Sequence, residues 1–209
     1  MTIDPSNVGG SPLVARVKNI ILQPKAEWER IETEGADLRS LYVGYVVPLA
    51  AIAAVCATIG LLLFSWGMGG FFIRLNPLQA VISGLFQFVM AIACVYATGF
   101  IVNVLAPSFG ARQDELQAHK VAVYGSTAGL LAGVFSIHPL LAILGLVGLY
   151  SFVLLWFGLE RLMKAPEDKR VIYYAAVIGI AIVAGFVISL VLGVVRASML
   201  GTVGGMPPF

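Results

Sequence analysis

Charge is what this sequence has least of. Asp, Glu, Lys and Arg make up 11% of its 209 residues, against roughly 25% in an ordinary soluble domain. With 59% hydrophobic content, a water-soluble fold has no means of hiding the apolar surface. Histidine and cysteine are almost as scarce, with only His119, His138, Cys56 and Cys94 present. No His-Glu-x-x-His pattern and no nucleophile with its base at helical spacing occurs, so nothing marks the chain as an enzyme, and no cofactor or metal is expected. The net charge of +2 and the lack of a basic stripe with interleaved aromatics exclude nucleic-acid binding.

The placement of the few charges is informative. Uncharged tracts of 34, 37, 39 and 25 residues separate Arg39 from Arg74, Arg74 from Arg112, Lys120 from Glu160, and Arg170 from Arg196. A helix crossing a hydrocarbon core of roughly 30 Å needs about 20 apolar residues, so the first, second and fourth tracts each fit one crossing. The third is nearly twice too long and is expected to fold back at Ser136-Ile137-His138-Pro139, where proline removes a donor and disfavours helix at the preceding residue. The fold class is therefore an all-α integral membrane bundle of five helices, at about 41–65, 77–105, 119–137, 140–160 and 171–195. By these spans no crossing carries a carboxylate, His or Arg near its middle, which argues against ion-coupled transport.

In residues 1–40, Arg16, Lys18, Lys25 and Arg30 interrupt every candidate signal-peptide core, so the first crossing is expected to be a retained anchor. Lys and Arg in short loops set orientation. Five lie in residues 1–40, two in 106–120 and four in 160–170, against Arg74 and Arg196 on the other side. The N-terminus is thus expected in the cytoplasm of a multi-pass inner-membrane protein, and the C-terminus outside.

Ser11-Pro12 reads as a helix start. Leu13, Val14, Val17, Ile20 and Ile21 recur at helical spacing, and Trp28 and Ile31 continue the apolar face after Pro24. This cytoplasmic segment, residues 1–40, is expected to be amphipathic and either to lie in the membrane interface or to pack on the bundle. Residues 41–200 form the transmembrane domain, and the small-residue-rich ends, 1–10 and 201–209, are expected to be mobile tails.

Gly125, Gly129 and Gly133 follow at four-residue spacing in the third crossing. They strip one helical face and invite close approach of another backbone, within the bundle or in a homo-oligomer. Gln87, Asn103, Ser126 and Thr127 are polar positions inside the spans; interhelical hydrogen bonds explain them, and a path for an uncharged solute is the alternative. His119 and His138, 19 residues apart, fall at opposite ends of one helix and cannot share a metal; His119 is expected to pair with Glu115. Cys56 and Cys94 read as small buried hydrophobes without a disulfide. Trp28, Pro107, Phe109, Asp114, Glu115, Lys169 and Arg170 all fall on the side assigned to the cytoplasm, where they offer one docking surface; solvated loops are the plainer reading.

Several segments, in order, resemble the Yip1 domain family in its short bacterial inner-membrane form: Pro24-Lys25-Ala26-Glu27-Trp28; Ala106-Pro107-Ser108-Phe109-Gly110; and Lys120-Val121-Ala122-Val123-Tyr124-Gly125-Ser126-Thr127-Ala128. Further on stand Leu149-Tyr150-Ser151, Gly158-Leu159, Met163-Lys164-Ala165-Pro166, Asp168-Lys169-Arg170 and Tyr173. The resemblance spans most of the chain and implies a five-helix bundle with a cytoplasmic N-terminus. Eukaryotic members bind small GTPases of the Rab and Ypt type through their cytoplasmic part, but the Asp-Leu-Tyr-Gly-Pro type of motif found there is absent here. The expected function is non-enzymatic: scaffolding a protein partner, or organising membrane lipids, through the cytoplasmic face. The alternative is a channel or transporter for a neutral or lipid-like substrate.

Overall fold

A computed structural model describes residues 12–64 and 76–204, with side chains through Ser198. The Ser11 cap, Arg74 and the tails 1–10 and 205–209 lie outside the described residues. Among the described residues every regular element is helical. Five helices are long and apolar enough to cross a membrane: Leu38–Leu63, Pro77–Phe109, Glu115–Ile137, Pro139–Leu162 and Glu167–Ser198.

Their starts are set by polar caps rather than by hydropathy. The Asp37 carboxylate accepts from the Ser40 N–H at 3.3 Å and the Asn76 side-chain oxygen from the Gln79 N–H at 2.8 Å, each within a capping box. Asp114 accepts from the Gln117 N–H at 3.1 Å, so the third crossing starts at Glu115, ahead of its apolar tract. The last helix runs on through Gly204, so residues 201–204, read from the sequence as part of a tail, continue it.

The first, third and fourth crossings are not uniform α-helices. Tyr42–Val46 is π-helical, and Val47 donates back to the Tyr42 carbonyl. The wider turn sits just ahead of Pro48, whose ring crowds the carbonyl four residues back and which has no N–H to give. The third crossing breaks at Ser126 and ends in a 3-10 turn over Gly133–Ile137. The fourth begins with eleven 3-10 residues, Pro139–Leu149, before turning α-helical over Tyr150–Leu162. At about 2.0 Å per residue, that stretch advances about 22 Å where an α-helix would advance about 17 Å. Its period of three also lines up Leu140, Ile143, Leu146 and Leu149 as one exposed apolar ridge.

The third and fourth crossings form a hairpin whose tip is His138-Pro139. The His138 Nδ1 accepts from the Leu140 N–H at 3.1 Å, and its ring stands edge-on to Phe64 at 4.3 Å. Gly60 lets the Ser136 carbonyl approach the first crossing, since a Cβ there would collide with that oxygen. The second crossing packs against the first, third and fifth, and the third also against the first and fourth.

The N-terminal helices Pro12–Leu22 and Pro24–Thr33 pack on the bundle. Ile20 and Ile31 are fully buried and Trp28 is 1% exposed. Trp28 lies over Gly158 of the fourth crossing and meets Tyr124 of the third edge-on at 6.2 Å. At about 25 cal/mol per Å², burying the 150–250 Å² of an aromatic side chain is a strong local attraction, and Gly158 supplies the space for it.

Candidate functional site

Most of the described ionic contacts gather at the end of the bundle that carries the N-terminal helices. Lys120 is 1% exposed although it is a lysine within an apolar crossing. Its Nζ donates to the Ile31 carbonyl at 2.8 Å and the Glu34 carbonyl at 2.6 Å, the unpaired carbonyls at the end of helix Pro24–Thr33. A cation on a helix C-terminus answers both the orphan acceptors and the negative end of the dipole.

Arg16 reaches the same place from the first short helix. It donates to Glu34 at 2.6 Å and to buried Glu27 at 2.5 Å, and stands over the Tyr124 ring at 5.6 Å. Burial by itself would depress the Arg16 pKa, but the Glu34 bond and the surrounding carboxylates outweigh it and hold the guanidinium above its ordinary value. Glu32 binds Arg161 at 2.7 Å and Lys164 at 3.2 Å, tying the second short helix to the end of the fourth crossing. Arg170 donates to Glu160 at 2.7 Å, joining the fourth crossing to the fifth.

Deeper in the bundle, Tyr45 and Thr127 share a hydrogen bond of 2.8 Å and Thr127 donates to the Tyr124 carbonyl at 2.6 Å. His119 pairs with the Tyr42 hydroxyl at 2.8 Å through Nδ1, its ring turned inward against Tyr96 and Gly99.

The docking residues read from the sequence divide. Trp28 is unavailable, being enclosed by Gly158 and Tyr124. The two loops do come together: the Arg112 N–H donates to the Met163 carbonyl at 2.8 Å, and Phe109 stacks on Tyr173 at 5.3 Å. Gly110 ends the Ala106–Phe109 turn with a φ of 69°, a left-handed conformation that glycine adopts without a Cβ penalty. Pro107, Glu115 and Lys169 are exposed, whereas Asp114 and Arg170 are half-buried in capping and ion-pairing roles.

The glycine row divides as well, because the helix changes pitch along it. Gly125 faces Leu155 and Gly129 gives its N–H to the Ser151 Oγ at 2.8 Å, both on the fourth crossing, but Gly133 meets Ala53 on the first. One stripped face against one partner is not what forms.

The four positions of the polar-path reading lie in separate surroundings. Gln87 lines a cavity of about 430 Å³ with Ser83, Ser136, Ser189 and Arg196. Asn103 has a buried Oδ1 with no partner among the described residues, Ser126 lines a smaller cavity of about 190 Å³, and Thr127 is bonded to Tyr45. Sequence reasoning missed Arg196 as a cavity residue and Lys120 as a buried cap. A signal existed for Lys120, which follows Ala118 and His119 directly into the run Val121-Ala122-Val123. Cys56 and Cys94 are free and half-buried. Among the described residues no three His, Cys, Asp or Glu side chains stand together as metal ligands would.

Five apolar crossings with charged groups gathered at one end define a multi-pass, all-helical membrane protein. The model of the Yip1 domain family matches residues 18–190. The chain belongs to that family. The inner membrane protein YohC of Escherichia coli K12 is 22% identical over 174 residues, covering 81% of this chain and 89% of that protein. The protein of the same name in Escherichia coli O6:H1 matches to the same extent. No solved structure matches the chain.

Proposed function

We propose that this protein is a non-enzymatic component of the inner membrane, with its N-terminus in the cytoplasm, that holds a protein partner on the face built by its N-terminal helices and the 106–114 and 160–170 loops. The carrying observation is the clamp formed by Arg16, Glu27, Glu34 and Lys120, which fastens two amphipathic helices to the bundle and keeps that face in one shape. A preorganised surface loses less entropy on binding than a floppy one. The basic residues of those segments support the orientation, and the printed name of the Escherichia coli relative supports the compartment.

Site-specific photo-crosslinkers at Pro107 and Lys169, both exposed, are the test in native membranes, with a crosslinker at lipid-facing Ile182 as reference. A discrete protein adduct from Pro107 and Lys169, absent from the Ile182 position and lost when Lys120→Met loosens the clamp, is the expected result. A protein that runs as a lone monomer and gives no adduct from either loop contradicts the reading.

A further inference from the structure

An open groove of about 840 Å³ lies between helix Pro24–Thr33, the end of the fourth crossing and the start of the fifth. Four cations line it, Lys25, Arg161, Lys164 and Arg170. Three acids stand among them: Glu32 holds Arg161 and Lys164, Glu160 holds Arg170, and Glu29 also lines the wall. Lys25 makes no ion pair among the described residues and rests over the Phe157 ring at 5.7 Å.

Two donors in the wall lack acceptors. The Trp28 Nε1 and the Arg170 Nε are shielded from solvent, and neither has a hydrogen-bond partner among the described residues. Trp28 is 1% exposed. A buried donor left unmet costs about 1–3 kcal/mol, and the groove is the space from which an acceptor oxygen can come, a side chain turning to admit it.

The groove also continues into the apolar surface. Val153, Trp156 and Glu160 recur at steps of three and four within helix Tyr150–Leu162, so they share one side of the fourth crossing. Leu149 and Val153, on the membrane side of the charges, are exposed. Trp156 stands edge-on to Tyr174 at 5.2 Å, between the apolar and charged stretches, at the level where amphipathic rings sit in a membrane interface.

We propose that this groove seats the phosphate of an anionic phospholipid. Lys25, Lys164 and Arg170 face the phosphate, the Trp28 and Arg170 donors turn to its oxygens, and the acyl chains leave along Val153 and Leu149. Basic pockets between crossings are a recurring way to hold anionic headgroups. An anionic lipid suits the groove better than a zwitterionic one, since a choline ammonium would add a fifth cation. The proposal is independent of the docking surface, because it needs no protein partner.

Native mass spectrometry of the detergent-solubilised full chain tests it, with added phosphatidylglycerol, phosphatidylcholine or inorganic phosphate. One phosphatidylglycerol is expected to bind in preference to phosphatidylcholine. Lys25→Gln, at an exposed position, is expected to weaken that binding about fivefold, the effect of one cation near an anionic headgroup. Arg170→Lys keeps the charge but removes the Nε, and Trp28→Phe removes the other donor; each is expected to weaken binding too, while Lys18→Gln, outside the groove, leaves it unchanged. If either buried variant fails to fold, Lys25→Gln still decides. Equal binding of the two lipids, unchanged binding by Lys25→Gln, or displacement of the lipid by inorganic phosphate overturns the proposal.

Discussion

The Lys120 Nζ donates to the carbonyls of Ile31 and Glu34, 89 and 86 residues away in sequence, at 2.8 and 2.6 Å. A cation inside one crossing thereby closes the C-terminus of a helix that does not cross. This explains why a lysine is found buried in an apolar stretch: two of its three donors meet fixed acceptors, and Glu34 adds an opposing charge. Losing it should free the short helix without dissolving the bundle. Lys120→Met is expected to weaken the attachment by about 2 kcal/mol, the scale of a charged hydrogen bond. Hydrogen exchange should rise in residues 24–34 and stay unchanged in the second crossing. Unchanged exchange in residues 24–34 would refute the clamp.

Trp28 and Gly158 form a second fastening. A Cβ on Gly158 would stand 2.8 Å from the Trp28 Cη2, so the ring lies directly on the helix backbone. Trp28→Ala empties that place and is expected to lower stability by about 3 kcal/mol or more, read as a fall in the thermal midpoint in detergent. A midpoint within experimental error of the parent would show that the contact holds nothing.

Glycines should differ sharply by surroundings rather than by count. At Gly60 a Cβ would run into the Ser136 carbonyl, a backbone atom that cannot step aside, whereas at Gly179 it meets nothing within 4 Å. Gly60→Ala is therefore expected to abolish most folded protein and Gly179→Ala to leave the yield unchanged. Comparable monodisperse yields on size-exclusion chromatography would be inconsistent with the hairpin-tip packing.

Asp37 carries a pH dependence. The Ser40 side chain, and then its backbone N–H, hold the exposed Asp37 carboxyl below its ordinary value. A depressed folded pKa contributes stability above the unfolded value and loses it as pH falls through the folded one. The cap should thus persist at neutral pH and fade below about pH 4. Asp37→Asn, which caps without titrating, is expected to remove that dependence from amide exchange at Ser40. An identical acid profile in both proteins would contradict it.

The five crossings were legible because ionisable groups are excluded from hydrocarbon, so the four uncharged tracts and Pro139 mark the helices and the hairpin directly. The pairing between distant segments was not. Trp28 reads as a surface aromatic until Gly158, 130 residues on, is seen to make room for it. Gly125, Gly129 and Gly133 read as one face because four-residue spacing assumes an α-helix, and the change of pitch at Gly133 carries the last glycine to another neighbour. Gln87, Asn103, Ser126 and Thr127 share polarity, but their depth and rotation around the bundle send them to separate surroundings.

The claim on which the rest depends is that the chain crosses lipid five times, with its basic loops on one side. Reporter fusions at the two chain ends, combined with impermeant thiol labelling of a single cysteine at Lys169 after replacement of Cys56 and Cys94, measure this directly. The account predicts a cytoplasmic N-terminus, an external C-terminus, and labelling at position 169 only from the cytoplasmic side; both ends reporting from one compartment would contradict it.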